Sequence, residues 1–521
     1  MKFFAARNFM KIELNEDFKN ALKLLENGEN IFLTGKAGTG KSTFLKYFIE
    51  HSNKNMVVLA PTGVAALNVG GQTVHSFFSI FPHEDMSDIE KIISRQTKTK
   101  KNLYKSLDLI VIDEVSMLRA DLLDLINEVL KTTLNTQKPF GGKQILFVGD
   151  LYQLPPVVTS REKEIFSMFY DSPYFFSARC YPQLNVKIVE FEKIYRQKDE
   201  NFIEILNKIR NGEVSQSDID FLNQRLISNA KIDNDVMPVY LTPYNEMARK
   251  INEEKLSELK GKKYEFPGKI TGNFNVEELP TDEILVLKKN AQVMLLTNSK
   301  DGLWVNGTIG RVESFEDETI KVLTEDNNIV YVEPFEWDVY EYRFDEKEKA
   351  IKKKKIGSFI QYPLKLSWAI TIHKSQGKTF NHVVLDVGKG AFSPGQIYVA
   401  LSRCTSLEGL FLVKPLKKSH IFIDRKIIKF MTQAKWTESE KKLPLKQKIS
   451  IIEQAINNGQ NLEITYLKKQ DEKTRRKVIP ISVGEMDYNG KKFLGLKAFC
   501  NLRKEERVFR VDRILEIKIV N

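Results

Sequence analysis

Gly35-Lys36-Ala37-Gly38-Thr39-Gly40-Lys41-Ser42 follows the apolar run Ile31-Phe32-Leu33 and leads into Thr43-Phe44-Leu45-Lys46-Tyr47-Phe48-Ile49, which has helical spacing. Strand, glycine-rich turn and helix together are the context in which this pattern binds phosphate. The glycines let backbone N–H groups turn inward around an anion, and the helix N-terminus adds partial positive charge. Lys41 then reaches the β- and γ-phosphates, and the Ser42 hydroxyl is placed to ligate Mg2+. The competing reading is a chance match, and the flanking strand and helix weigh against it. A nucleoside triphosphate is the expected ligand, with Gly35, Ala37, Gly38, Thr39, Gly40, Lys41, Ser42 and Thr43 as candidate contacts.

Downstream, further apolar strands end in polar tips. Leu109-Ile110-Val111-Ile112 runs into Asp113-Glu114, a carboxylate pair in the Walker B position. Asp113 is the expected Mg2+ partner, through water, and Glu114 the group that polarises the attacking water. Ile145-Leu146-Phe147-Val148 ends in Gly149-Asp150-Leu151-Tyr152-Gln153-Leu154-Pro155-Pro156. An amide at Gln153 can feel the γ-phosphate, and the stiff Leu-Pro-Pro can pass a shift on; a plain proline-terminated loop is the alternative. Met56-Val57-Val58-Leu59-Ala60 stops at Pro61-Thr62-Gly63, at the strand end where ligands sit in open α/β sheets. His75 is read either as a phosphate or stacking contact or as a satisfied surface histidine. Five alternations of strand and helix between residues 30 and 190 predict a parallel sheet covered on both faces.

Upstream, residues 12–28 have the spacing of an amphipathic helix, with Phe18, Ala21, Leu22 and Leu25 on its apolar side. Beyond residue 190, Val239-Tyr240-Leu241-Thr242-Pro243 opens a second α/β unit, and residues 283–361 turn β-rich, with turns at Asn306-Gly307 and Asn327-Asn328. That stretch carries Lys352 to Lys355, read equally as a phosphate-tracking patch or a solubilising edge. Arg196 and Arg403 are candidates to neutralise charge on the γ-phosphoryl group from a second lobe, a structural salt bridge being the alternative for each. Residues 432–445, polar and lysine-rich, read as a linker. A helix and five short strands then make a small separate module.

The chain has 521 residues, too many for one core, and three or four domains are expected. A net charge of +12 points to a polyanionic partner, although a lysine-rich solvated surface gives the same figure. Cys180, Cys404 and Cys500 are scattered without metal-like spacing, as in a reduced cytosolic protein. No apolar run approaches the ~18 residues of a membrane span, and the N-terminus lacks a signal-peptide core. A cytoplasmic protein with no membrane partner is expected. No carboxylate cluster beyond Asp113-Glu114 suggests a nuclease.

Taken in order, these motifs resemble those of superfamily 1B DNA helicases, most closely the Pif1 branch in its bacterial form. Gly35 to Ser42 resembles motif I, Ala60 to Ala66 motif Ia, Ile112 to Met117 motif II and Gly149 to Pro156 motif III. Tyr195-Arg196-Gln197 is similar to motif IV, Trp368 to Gly377 to motif V and Tyr398 to Arg403 to motif VI. The match covers residues 12 to about 430. The resemblance implies an α/β fold of two RecA-like P-loop lobes, the first over 1–190 with a small 1B element around 64–80, the second over 191–431. It also implies an SH3-like β-barrel insertion at 305–362 and a WYL-like, Sm-type β-rich domain at 446–521. Arg503, Arg507 and Arg510 of that domain face either nucleic acid or a dock on the motor.

The implied activity is ATP-dependent, 5′ to 3′ translocation on single-stranded DNA, with unwinding of duplex, G-quadruplex or RNA–DNA hybrids in genome maintenance. ATP and Mg2+ are the implied cofactors. Lys41, Asp113, Glu114, Gln153, Arg196 and Arg403 take the catalytic roles, Gly377 a nucleotide contact, and Pro61, Thr62, Gly63, His75, His373 and Ser375 the DNA grip. Single-stranded, duplex, forked or G-quadruplex DNA is the implied partner, and a monomer in solution that can form a dimer on DNA is implied too. An ATP-gated binding switch without strand separation is the alternative. The chain departs from the family at Leu14 to Lys19, where the usual adenine-reading glutamine is missing, and adenine selectivity stays open.

Overall fold

The computed structural model of the chain describes residues 15–520, apart from 82–83, 160–161, 198, 229–231, 233–235, 275, 277–278, 300, 389, 469–470 and 489. The chain divides into two compact units, one of residues 1–206 and 214–421 and one of residues 207–213 and 422–521.

The larger unit begins with a helix at Glu16–Glu26. The Asn15 side chain caps it by accepting from the Phe18 N–H, and Phe18, Ala21 and Leu25 are buried beneath it. Residues 12–14 of the expected helix lie outside the described residues. Six parallel strands follow: β1 Ile31–Gly35, β2 Met56–Ala60, β3 Gln72–Thr73, β4 Leu109–Ile112, β5 Gln144–Val148 and β6 Lys187–Phe191. Their order is β3-β2-β4-β5-β1-β6. Strands β1, β4 and β5 are buried along their whole length, which is why they read as unbroken apolar runs rather than alternating ones. The order sets the P-loop strand beside β5 and one strand from β4, so three polar tips share one carboxyl edge.

A second parallel sheet orders its strands Ala369–Thr371, Val239–Thr242, Val383–Leu385 and Leu410–Leu412. Between the first two strands in the chain lies the β-rich insertion. It is larger than the turns at 306 and 327 suggest, because strands at Gln292–Leu295 and Leu364–Leu366 join its five-stranded sheet through non-local pairing. Leu285, Val293, Val322 and Leu364 share its core.

A long hairpin, Phe335–Asp345 with Ala350–Gln361, extends from the insertion back to the first sheet. There the Val58 N–H donates to the Tyr342 hydroxyl at 3.3 Å, and Lys353 Nζ donates to the Gly70 carbonyl. The lysine run lies on this hairpin. Lys352 pairs with Asp345 and Glu348, and Lys355 with Glu336 and Asp338, so much of its charge is answered by the facing strand.

The smaller unit holds two helices, Arg425–Lys442 and Leu445–Asn457, over a five-stranded antiparallel sheet. The linker expected at 432–445 is therefore mostly helix. The helix Arg425–Lys442 turns a stripe of Ile427, Met431, Thr432 and Ser439 inward, and Ser439 Oγ donates to the Leu515 carbonyl at 2.7 Å. Only Leu443-Pro444 breaks the chain there, proline being unable to continue a helix. Arg507 and Arg510 lie on the edge strand Glu505–Arg510 and pair locally with Glu505 and Asp512. No helix among the described residues is long and apolar enough to cross a membrane.

Candidate active site and nucleic-acid interface

The P-loop is built around two glycines that no other residue replaces without strain. Gly38 has φ +80°, and a Cβ there would lie 2.5 Å from the Arg196 Cβ. Gly40, at φ 86°, is the left-handed residue from which the helix Lys41–His51 starts. Thr39 Oγ1 donates to the Lys36 carbonyl at 2.9 Å and is almost fully buried. Lys41 Nζ donates to the carbonyls of Gly35 (2.8 Å) and Lys36 (3.0 Å), so its ammonium curls over the loop that a phosphate would enter. Ser42 and Thr43 are exposed in the first helical turn.

At the tip of β4, Glu114 takes φ 49°, a left-handed conformation costing a non-glycine residue roughly 1–2 kcal/mol. That turn brings the Glu114 N–H to 2.9 Å from Asp113 Oδ1. Burial raises the Asp113 pKa, with Lys41 opposing. Glu114 is pushed up to about 7, first by burial and then by the Asp113 charge. A carboxylate poised near neutrality suits a group that accepts a proton from water. Two half-buried carboxylates and a serine hydroxyl are hard oxygen donors, and a dication would relieve the repulsion between the carboxylates, so the residues present fit Mg2+.

The third tip meets the second lobe. Gln153 Nε2 donates to Asp150 Oδ2 at 3.4 Å, and Gln376 Nε2 donates to Gln153 Oε1 at 3.4 Å. The Tyr398 hydroxyl accepts from the Ala37 N–H at 3.0 Å and donates to Asp150 Oδ2 at 3.4 Å, tying the P-loop, the β5 tip and the helix Gln396–Leu401 together. Arg196 Nη1 donates to the Ser402 carbonyl at 3.2 Å, and Gln197 Nε2 donates to the same oxygen at 3.1 Å.

Arg403 is 1% exposed. Its Nε donates to the Val399 carbonyl at 2.9 Å and its Nη2 to Ser402 Oγ at 2.8 Å. Its Nη1 reaches the carbonyls of Ser375 and Lys378. Burial, then the Arg196 charge, depress its pKa to about 9, while Glu114 and Asp150 pull the other way. Among the described residues neither arginine forms an ion pair, and the salt-bridge alternative falls away for both. Two like-charged guanidinium groups therefore share the pocket with Lys41 and the Asp113–Glu114 tip, a set that an anionic phosphate chain would satisfy.

The candidate grip residues divide. Pro61, Thr62 and Gly63 sit at the carboxyl end of β2, where Thr62 Oγ1 caps the helix Gly63–Asn68 by accepting from the Ala65 N–H. His75 is half-buried in the helix Val74–Phe78, and burial and Arg119 lower its pKa. His373 opens the turn His373–Ser375 at the carboxyl end of Ala369–Thr371. Ser375 is a correction: it has no exposed surface, and its Oγ donates to the Ile372 carbonyl at 2.7 Å. It backs Arg403 and has no face to offer a strand. Gly377, at φ +75°, lies between Gln376 and Lys378. Tyr398, Asp150, Gln376 and Gln197 were missed as site residues. Tyr398 stands five residues before Arg403, which lies in the turn just past the helix Gln396–Leu401, the only local hint of its place.

A PIF1-like helicase family model matches residues 13–220, and a WYL domain model matches residues 447–519. The ATP-dependent DNA helicase PIF1 of Homo sapiens is 32% identical over 77% of this chain, which spans 60% of that relative. The crystal structure of Bacteroides sp Pif1 in complex with ADP-AlF4 aligns with a TM-score of 0.74 at 37% identity, covering 81% of this chain and 96% of that one. The same helicase bound to ssDNA aligns at 0.58, with 38% identity and the same coverage. The ATP-dependent DNA helicase Pif1 of Bdellovibrio bacteriovorus is 32% identical over 429 residues, 81% of this chain and 92% of that relative. A match of that identity over nearly the whole of a relative leaves one assignment: this chain belongs to the Pif1 helicase family.

Proposed function

We propose that the chain is an ATP-dependent DNA helicase that moves 5′ to 3′ along single-stranded DNA and separates the duplex ahead of it. The observation that carries this reading is the burial of Arg403, unpaired with any described carboxylate, beside a P-loop and a Walker B pair contributed by the other lobe. Each lobe supplies charge that a triphosphate needs, so binding favours the closed arrangement and hydrolysis removes the reason to close. Lys41 and Arg196 hold the phosphates, Glu114 takes a proton from the attacking water, and Arg403 answers the charge that builds on the transferred group. Ser42 and Asp113 would hold Mg2+, which supplies charge neutralisation at the β- and γ-oxygens when bound.

Gln153, touched by Gln376, carries the presence of the γ-phosphate across the cleft. Pro61, Thr62 and Gly63 with His75 on one lobe, and His373 on the other, grip the strand backbone unequally in the two states, which makes each cycle directional. G-quadruplexes, RNA–DNA hybrids and forks engaged by paired copies are the further substrates this reading takes in, within genome maintenance. Strand displacement on duplexes with a 5′ or a 3′ tail tests it. Displacement from the 5′-tailed duplex alone, dependent on ATP and Mg2+, is the expected result. ATP-dependent binding without displacement would instead make the protein a switch.

A further inference from the structure

Three adjacent strands of the second parallel sheet each end in a loop that presents one ring. Tyr244 follows Val239–Thr242, His373 follows Ala369–Thr371, and Phe392 lies between Val383–Leu385 and the helix Gln396–Leu401. The rings are ordered: Tyr244 and Phe392 have centroids 5.3 Å apart and planes within 20°, and His373 and Phe392 have centroids 6.2 Å apart and planes within 13°. Yet the set does not complete a core. Phe392 is 52% exposed and Tyr244 43% exposed. Keeping flat apolar rings in water and in register is costly for folding, and the arrangement suits a planar guest.

The loop carrying Phe392 is bordered by base-rich chain. Lys414 Nζ donates to the Gly388 carbonyl at 3.1 Å, and the His420 ring lies against Gly390 with Lys417 at its side. Positive charge beside stacked rings is the combination that holds a single strand, phosphates to the charge and bases to the rings. The same loop ends at Gly395, where a Cβ would collide with the carbonyls of Tyr152 and Gln153. The stack is therefore mounted against the γ-phosphate-sensing loop.

We propose that Tyr244, Phe392 and His373 form a stacking platform for unpaired nucleobases, with Phe392 as the rung that contributes most. This rests on the helicase reading and adds to it a base-dependent part of the grip, one that salt does not screen, beside the backbone-directed part. Purine and pyrimidine both stack, so the platform reads the presence of a base and not its identity.

The test compares Phe392→Ala and Phe392→Leu with the unaltered full-length chain in binding a fluorescent oligo-dT strand and an abasic strand of equal length. Leucine keeps apolar bulk but loses the flat π face, and thermal melts of both variants establish that they fold. The unaltered chain should prefer oligo-dT, and each variant should lose about 5- to 100-fold on oligo-dT, with little change on the abasic strand. Phe392→Trp should restore the preference. Oligo-dT affinity unchanged in both variants, or a loss equal on the two strands, overturns the platform. An unaltered chain that neither binds nor displaces any strand overturns the helicase reading itself, a separable result.

Discussion

Replacing Arg403 by glutamine takes a buried cation out of the pocket while leaving an amide there. The guanidinium is 1% exposed, hydrogen-bonded to neutral oxygens, and lowered to about 9 by burial and by Arg196. A base whose folded pKa lies below its unfolded value costs stability at every pH under the folded value, and the cost fades as pH rises past about 9. At pH 7 the glutamine variant should therefore melt no lower than the unaltered chain when nucleotide is absent. A relief of roughly 1–3 kcal/mol is offset in part by lost contacts to Val399 and Ser402.

Turnover should move the opposite way. A donor aimed at charge that develops only in the transition state is worth about 10²–10³ in kcat, or about 3–4 kcal/mol. The KM for ATP should shift by less than ~3-fold, since the lost contact strengthens as charge builds. Steady-state phosphate release on single-stranded DNA, with scanning fluorimetry at neutral and alkaline pH, reads both effects. A kcat within ~5-fold of the unaltered chain, or a KM that rises while kcat holds, would refute the assignment, because Arg403 would then be an ordinary ground-state contact.

Lys41→Ala should abolish ATP turnover yet leave nucleotide-free binding to single-stranded DNA nearly intact; fluorescence anisotropy showing both lost would indicate misfolding. Gly38→Ala forces a side chain into φ +80° and to 2.5 Å from the Arg196 Cβ. Strain alone costs roughly 1–2 kcal/mol, so titration calorimetry should find ATP affinity down by about tenfold or more. In the smaller unit, Lys435→Met would leave Asp471, with no exposed side-chain surface, without the 2.8 Å partner it now has. That should cost about 1–3 kcal/mol, seen as an earlier urea transition of the smaller unit. A transition left unmoved would show the pair to be dispensable.

Chemistry that lies within one strand–turn–helix unit could be read from the sequence, because the residues that make it are neighbours in the chain. Gly35 to Ser42, Asp113-Glu114 and Gln153 each end an apolar strand, and burial on both faces marks those strands without any tertiary knowledge. The smaller unit's helix and strands were visible for the same reason. What composition concealed was burial. Residues 432–442 look like linker but run as a helix whose inward stripe needs the sheet beneath it. Ser375 looks like a grip residue but lies behind Arg403.

Only the tertiary structure decided who meets whom across the cleft. Tyr398 and Ala37 share a hydrogen bond across 361 residues of chain, and the insertion's strands find partners on both sides of a sheet the turns do not delimit. Local periodicity sets each strand's faces and each helix's stripe. It carries no information about which distant carbonyl an arginine will meet, nor about which three loops will bring their rings together, since those are properties of strand order and packing.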